Sequence, residues 1–306
     1  MLKDRAPMRK FQPQAFGSAS LDKGHRHQHQ GKEVEAPRFD SLILQGGGCR
    51  CFFTLGFLEA ASDAPALSEV RQIATVSASA AMACAHLIGR RREALEVFSS
   101  LVRNNPKNFY WSRLLRGERP TPHYAMYRAA LIDAIPDEMF PRIRESAIRL
   151  RILVSHARAP SRTMATVLGA LSILFQTRPP GLDSDVIEAQ GLPSKLELVD
   201  AVLASSAFPP FTPLPERHGR PIIDGGAIEP IPLSALDTQA AKQPLILLTR
   251  PLPVRPLPHG THFIAPPIDL NMAIWQYADE AGIRRVYELG LRCGEAFLKR
   301  GRVKLS

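Results

Sequence analysis

Three consecutive glycines, Gly46 to Gly48, separate a short apolar run from a segment of helical spacing, and this junction restricts the fold more than any other stretch. SLILQ (Ser41 to Gln45) reads as a buried strand, while Phe53, Phe57 and Leu58 in the following RCFFTLGFLEAAS recur on one helical face. A strand that passes through glycines into a helix is a unit of α/β folds, because glycine lets the backbone turn tightly and aim its N–H groups at one point. The order returns at QIATV (Gln72 to Val76), which leads into the small-residue helix SASAAMACAHLIG, and a further helix is expected over Arg92 to Val102. Strands are expected at Arg149 to His156, Pro221 to Asp224 and Pro244 to Thr249, with an amphipathic helix from about Leu270 to Arg300. Alternation of this kind predicts an α/β fold whose mostly parallel central sheet carries helices on both faces.

The folded domain is expected over 38–306, because Met1 to Pro37 is polar, lacks periodicity and carries the cluster HRHQHQ, as a disordered tail does. With 45% hydrophobic residues the chain can bury a sizeable core. No run is long and apolar enough to span a bilayer, and the first residues lack the apolar stretch of a signal peptide, so a cytoplasmic location is expected. The net charge of +10 suits anionic partners and admits peripheral contact with an anionic membrane surface. No zinc-finger spacing, basic zipper or repeat supports nucleic-acid binding, and none is expected. Cys49, Cys51, Cys84 and Cys293 show no metal-ligand spacing and read as buried thiols; neither metal nor cofactor is expected.

Two other stretches have two readings each. NNPKNFYWSRLLRG (Asn104 to Gly117) mixes aromatic and basic residues, as a membrane-interface element or a buried helix would. TMATVLGALSILF (Thr163 to Phe175) is apolar nearly all round and reads as a core helix, with an acyl-groove wall or interfacial lid as the alternative.

The glycine loop could hold a phosphate or an oxyanion. A dinucleotide site would need a third glycine where Cys51 stands and a carboxylate at the end of the next strand, where Val76 stands. SASAA meets the requirement of a nucleophile turn, a serine between small residues at a strand-to-helix junction. Ser79 is the preferred nucleophile, with Ser77 and Ala81 in the glycine positions; the alternative, Ser77, would be flanked by Thr75 and Ser79. Asp224 ends a strand before Gly225 and Gly226 and is expected at the same carboxyl edge of the sheet as Ser79, where ligands bind in open α/β sheets.

The ordered set GGGCR, SASAA and ASSAFPPFTP followed by IIDGG resembles the patatin-like phospholipase family, roughly from Phe39 to the C-terminus. The resemblance implies a three-layer α/β sandwich and a carboxylic ester hydrolase that acts on phospholipid or other acyl-ester substrates through a Ser-Asp dyad and an acyl-enzyme. It assigns Ser79 as nucleophile, Asp224 as base and the backbone of Gly47, Gly48, Cys49 and Arg50 as the oxyanion hole. The motif positions are completed by Gly46, Cys51, Ser77, Ala81, Gly225 and Gly226, of which Cys51, Ser77 and Ala81 depart from the family's usual glycine. Phe208 and Phe211 are candidates for an apolar wall that would raise the pKa of Asp224. Rival expectations are a Ser-Asp-His triad through His259 or His262, with His156 as a further candidate, a catalytically attenuated lipid-binding relative, and acyl transfer to an alcohol.

Overall fold

The structure, a computed structural model, describes residues 16–17, 37–158, 167, 181–251 and 261–300. Its strands are β1 (Phe16–Gly17), β2 (Ser41–Leu44), β3 (Gln72–Val76), β4 (Arg149–Ala157), β5 (Leu182–Glu188), β6 (Glu216–Arg217), β7 (Arg220–Asp224), β8 (Pro244–Leu247) and β9 (His262–Ile264). Among the described residues they form one sheet in the order β1-β9-β8-β2-β3-β4-β7-β6, with β5 also paired to β4. The centre, β9-β8-β2-β3-β4, is parallel throughout. The antiparallel pairs lie around it. The apolar runs that announced β2 and β3 are buried along their whole length, as strands covered on both faces must be.

Side-chain alternation divides the core between the two faces of the sheet. Leu42, Leu44, Ile73, Ile152 and Leu245 point to one side, where they pack with α1 (Phe52–Ala61), α2 (Ser79–Leu87), α3 (Arg91–Arg103), α5 (His123–Ala134), α7 (Lys195–Ser205) and α8 (Glu280–Arg300). Two short helices, α4 (Trp111–Leu114) and α6 (Phe140–Arg144), complete the described set. Ile43, Ala74, Val76, Leu153 and Ile246 point to the other side, onto Ile231 and Ala235 of the chain that follows β7 through helical turns at Gly225–Ala227 and Leu233–Ala235. The result is a three-layer α/β sandwich.

Helix α8 begins at Glu280, later than the expected Leu270. The intervening backbone is engaged elsewhere: Ile274 O accepts from Cys49 N–H at 2.9 Å and Met272 O from Arg50 Nε at 2.7 Å. Asp279 then caps the helix, its Oδ1 accepting from Gly282 N–H at 2.8 Å. Residues 270–277 therefore cross over the glycine loop as irregular chain. Of the expected tail only Phe16–Gly17, an edge strand on β9, and its last residue Pro37 are described; the rest, with HRHQHQ, lies outside the described residues, as does nearly all of Thr163 to Phe175. Among the described residues no helix is long and apolar enough to cross a membrane.

Candidate active site

One edge of β4 is shared by two strands. β5 pairs with β4 from Arg151 to Ala157, so β3 and β7 must both use the opposite edge. Parallel β3 holds that edge up to Val76 opposite Leu153, and antiparallel β7 takes it from Val154, which faces Asp224. The C-terminal ends of β3 and β7 therefore meet head to head, one residue apart along β4. Asp224 reaches the site from the opposite direction to that expected, because β7 runs against the parallel strands. Gly225 is needed where the chain leaves β7, since a Cβ there would come within 2.5 Å of Leu153 O and 2.8 Å of Val76 Cγ2.

The serine brought to this carboxylate is Ser77. Its Oγ donates to Asp224 Oδ2 at 2.8 Å, while Asp224 Oδ1 accepts from Gly226 N–H at 2.6 Å. Ser77 has φ of 58°, a left-handed conformation rare outside glycine and costly enough to need support from its surroundings. That support is visible: Ser77 N–H donates to Ser205 Oγ at 2.7 Å, and Ser205 Oγ donates to Leu153 O at 2.7 Å. Ser79, the expected nucleophile, is turned away. Its Oγ is fully buried, within 2.9 Å of Leu44 O and 2.8 Å of Val76 O, and accepts from Val76 N–H at 3.0 Å. The reason is the position of the turn: the chain bends at the first residue after β3, and by Ser79 it is already the first turn of α2, packed on the strand ends.

The glycine loop is fastened by Thr249, two residues past β8, and from residues 272–274. Thr249 Oγ1 donates to Gly46 O at 2.8 Å, and Thr249 N–H donates to Gln45 Oε1 at 2.7 Å. Gly48 has φ of 56°, and a Cβ on it would overlap the Ile274 carbonyl. Four donors were expected at the oxyanion hole, and two are already committed. Cys49 N–H donates to Ile274 O at 2.9 Å and Arg50 N–H to Gly47 O at 3.1 Å, which leaves Gly47 and Gly48 with N–H groups that have no partner among the described residues. The Arg50 side chain steadies the loop through Met272 O. Cys51 and Ala81 stay clear of the dyad: Cys51 Sγ lies 3.7 Å from Gln45 O, and Ala81 lines a small apolar cavity along α2. All four cysteines are buried and unpaired, and burial pushes the Cys49 thiol up to about 12, so neither loop thiol is an activated nucleophile.

Gly46, Gly47, Gly48, Ser77, Ala78 and Asp224 line one cavity of about 290 Å³, whose walls include Phe208, Ile228, Ile231, Ile274 and Trp275. A second, apolar cavity of about 50 Å³ shares Gly48, Ala78, Tyr127 and Tyr277 with it and runs between α2, α3 and α5. Burial raises the Asp224 carboxyl from 3.8 to about 6, against the lowering effect of its bonds from Gly226 and Ser77. Phe208 supplies part of the expected apolar wall, stacked on Phe211 and Trp275 at 5.4 and 4.5 Å. His262 lies in β9 with its ring edge against Phe39, and His156 contacts Asp185 at 3.2 Å, so neither joins the dyad; His259 lies outside the described residues. Among the described residues no cluster of His, Cys, Asp or Glu could hold a metal. His123, Tyr127 and Trp275 also line the cavity, without any local sequence signal. Ser205 did carry one, since it stands in the ASSAFPPFTP stretch. Burial lowers His123 to about 4 and keeps its ring neutral.

A family model described as patatin-like phospholipase matches residues 42–237. A search of curated proteins finds no match. Among solved structures the chain is similar to VipD from Legionella pneumophila, at 16% identity and a TM-score of 0.39, over 70% of this chain and 50% of that one.

Proposed function

The chain belongs to the patatin-like phospholipase family, and on that premise we propose that it is a serine acyl hydrolase acting on phospholipid or other acyl-ester lipids, with Ser77 as nucleophile and Asp224 as base. The observation that carries this reading is the 2.8 Å contact from Ser77 Oγ to Asp224 Oδ2 in a cavity also lined by Gly47 and Gly48, whose N–H groups have no partner among the described residues.

Ser77 Oγ attacks the ester carbonyl carbon as its proton passes to Asp224 Oδ2, and the developing oxyanion is held by Gly47 and Gly48 N–H. As the tetrahedral centre collapses, the carbon–oxygen bond to the leaving alcohol breaks and Asp224 returns the proton to that oxygen. Water then attacks the acyl-enzyme carbonyl carbon as Asp224 takes its proton; the bond from that carbon to Ser77 Oγ breaks, Asp224 returns the proton to the serine oxygen, and the fatty acid leaves. An ordinary aspartate is too weak a base for this exchange. With its carboxyl raised to about 6, Asp224 is still ionised at neutral pH yet closer to the proton affinity the step requires. Beyond the glycine loop the small cavity lined by Leu55, Met82, Phe98 and Leu131 presents an apolar surface of the kind against which the start of an acyl chain packs.

The test is labelling of the purified protein with a fluorescent fluorophosphonate, beside hydrolysis of a p-nitrophenyl ester and of phospholipid vesicles. Wild type and Ser79→Ala should label, Ser77→Ala should not, and Asp224→Asn should lose turnover. Labelling that survives Ser77→Ala would refute the assignment, and a folded wild type that binds acyl chains without labelling or hydrolysis would mark it as a lipid-binding relative.

A further inference from the structure

The second half of NNPKNFYWSRLLRG, from Trp111 on, is not buried. Trp111, Leu114 and Leu115 are 74%, 45% and 90% exposed, three large apolar side chains left in water within five residues. Isolated exposed apolar residues are ordinary, whereas a cluster of this size on a short loop marks a surface meant to be covered. The loop is held in shape: Tyr110 N–H donates to Pro120 O at 2.7 Å and Glu118 N–H to Arg113 O at 2.9 Å, which closes its base and turns 111–117 outward as a tip.

The surroundings of the tip are basic. Lys107, Arg113 and Arg119 enter no ion pair among the described residues; Arg113 lies 4.8 Å over the Tyr110 ring, and only Arg116 is neutralised locally, by Glu118. A chain of +10 with these cations beside exposed Trp and Leu complements a surface that is apolar beneath and anionic on top. The loop is also joined to the site. Tyr277 N–H donates to Asn108 Oδ1 at 2.6 Å, Asn108 Nδ2 meets Gln276, and Tyr277 and Trp275 line the catalytic cavity. Trp111 follows Asn108 by three residues, a reach of roughly 11 Å at most, and Trp275 is itself 39% exposed.

We infer that the 107–119 loop is an interfacial anchor that docks the protein on anionic lipid bilayers and brings the cavity to its substrate; this rests on the acyl-hydrolase reading for its purpose. Trp111, Leu114 and Leu115 enter the headgroup boundary, and Lys107, Arg113 and Arg119 face lipid phosphates.

The test is cosedimentation of the full chain with phosphatidylcholine vesicles with and without phosphatidylglycerol, comparing wild type with Trp111→Asp/Leu115→Asp and with Lys107→Glu/Arg113→Glu/Arg119→Glu. A Trp275→Phe background leaves Trp111 as the lone indole of a chain with two tryptophans, and its emission should move to the blue on anionic vesicles. Partitioning should fall roughly tenfold or more in the first variant, and the second should lose the preference for phosphatidylglycerol. Hydrolysis of a soluble p-nitrophenyl ester should be unchanged in both, which also certifies their folding. Equal vesicle binding by wild type and variants, or no vesicle binding by wild type, overturns the inference, the latter pointing to a protein partner for the patch. Failure of the hydrolase reading would appear separately, as absence of soluble-ester turnover in wild type, and leaves the binding comparison decisive for the anchor.

Discussion

Replacing Asp224 with asparagine should abolish turnover and stabilise the fold. Burial lifts the Asp224 carboxyl from 3.8 to about 6, a change worth about 3 kcal/mol at ~1.36 kcal/mol per pH unit. The folded protein thus binds this proton more tightly than the unfolded chain, so ionising the carboxylate costs stability. The cost is absent below about pH 4, grows between about pH 4 and 6, and is complete above that window. Asparagine removes the charge and keeps the shape: its Oδ1 can still accept from Gly226 N–H and its amide can donate to Ser77 Oγ. At neutral pH the variant should melt roughly 6 °C higher than wild type, since each kcal/mol moves a domain of this size by ~2–4 °C. Thermal melts of both proteins from about pH 4 to 8 would show the two curves converging in acid. A variant less stable than wild type at neutral pH, or a gain independent of pH, would refute the reasoning, because it would mean that the bonds to the carboxylate outweigh its burial.

The same carboxyl sets the acid limb of catalysis: kcat/KM should fall below about pH 6 as Asp224 takes up a proton and loses its capacity as base, readable in an ester-hydrolysis pH profile. Ser205→Ala removes the hydroxyl that ties Ser77 N–H to Leu153 O; relaxation of the turn should lower kcat tenfold to a hundredfold, on the order expected when a reacting group is misplaced, with KM little changed. Gly48→Ala sets a methyl group against the Ile274 carbonyl, and the shifted donor should cost at least about a hundredfold in kcat. Ser79→Ala leaves Val76 N–H without its acceptor; it should retain fluorophosphonate labelling while losing about 1–3 kcal/mol in urea melts.

Much of this architecture was legible from short-range pattern. The four- and five-residue runs at Ser41 and Gln72 could be read as strands because both of their faces are covered, and the glycines after the first could be read as a tight loop because only they tolerate the backbone of Gly48 beside Ile274. Asp224 was legible as a strand end before glycines. The start of α8 was not, since residues 270–277 are mostly apolar, yet Met272 and Ile274 lend their carbonyls to the glycine loop. His123, Tyr127 and Trp275 gave no signal at all, because their only shared property is the cavity they line.

The choice of serine separates what belongs to the sequence alone from what belongs to the tertiary structure. From residues in order one could derive a strand, a glycine loop and a helix, a second strand leading into small residues, and a carboxylate far along the chain to meet one of two serines. Which serine it meets could not be derived, since SASAA allows two registers and local spacing favoured Ser79. The decision lies on the edge of β4, where parallel β3 stops at Leu153 and antiparallel β7 arrives at Val154, so that Ser77, the first residue past β3, faces Asp224. Strand order and direction are properties of distant segments packed together, and a positive φ at a non-glycine residue persists only where such packing supports it.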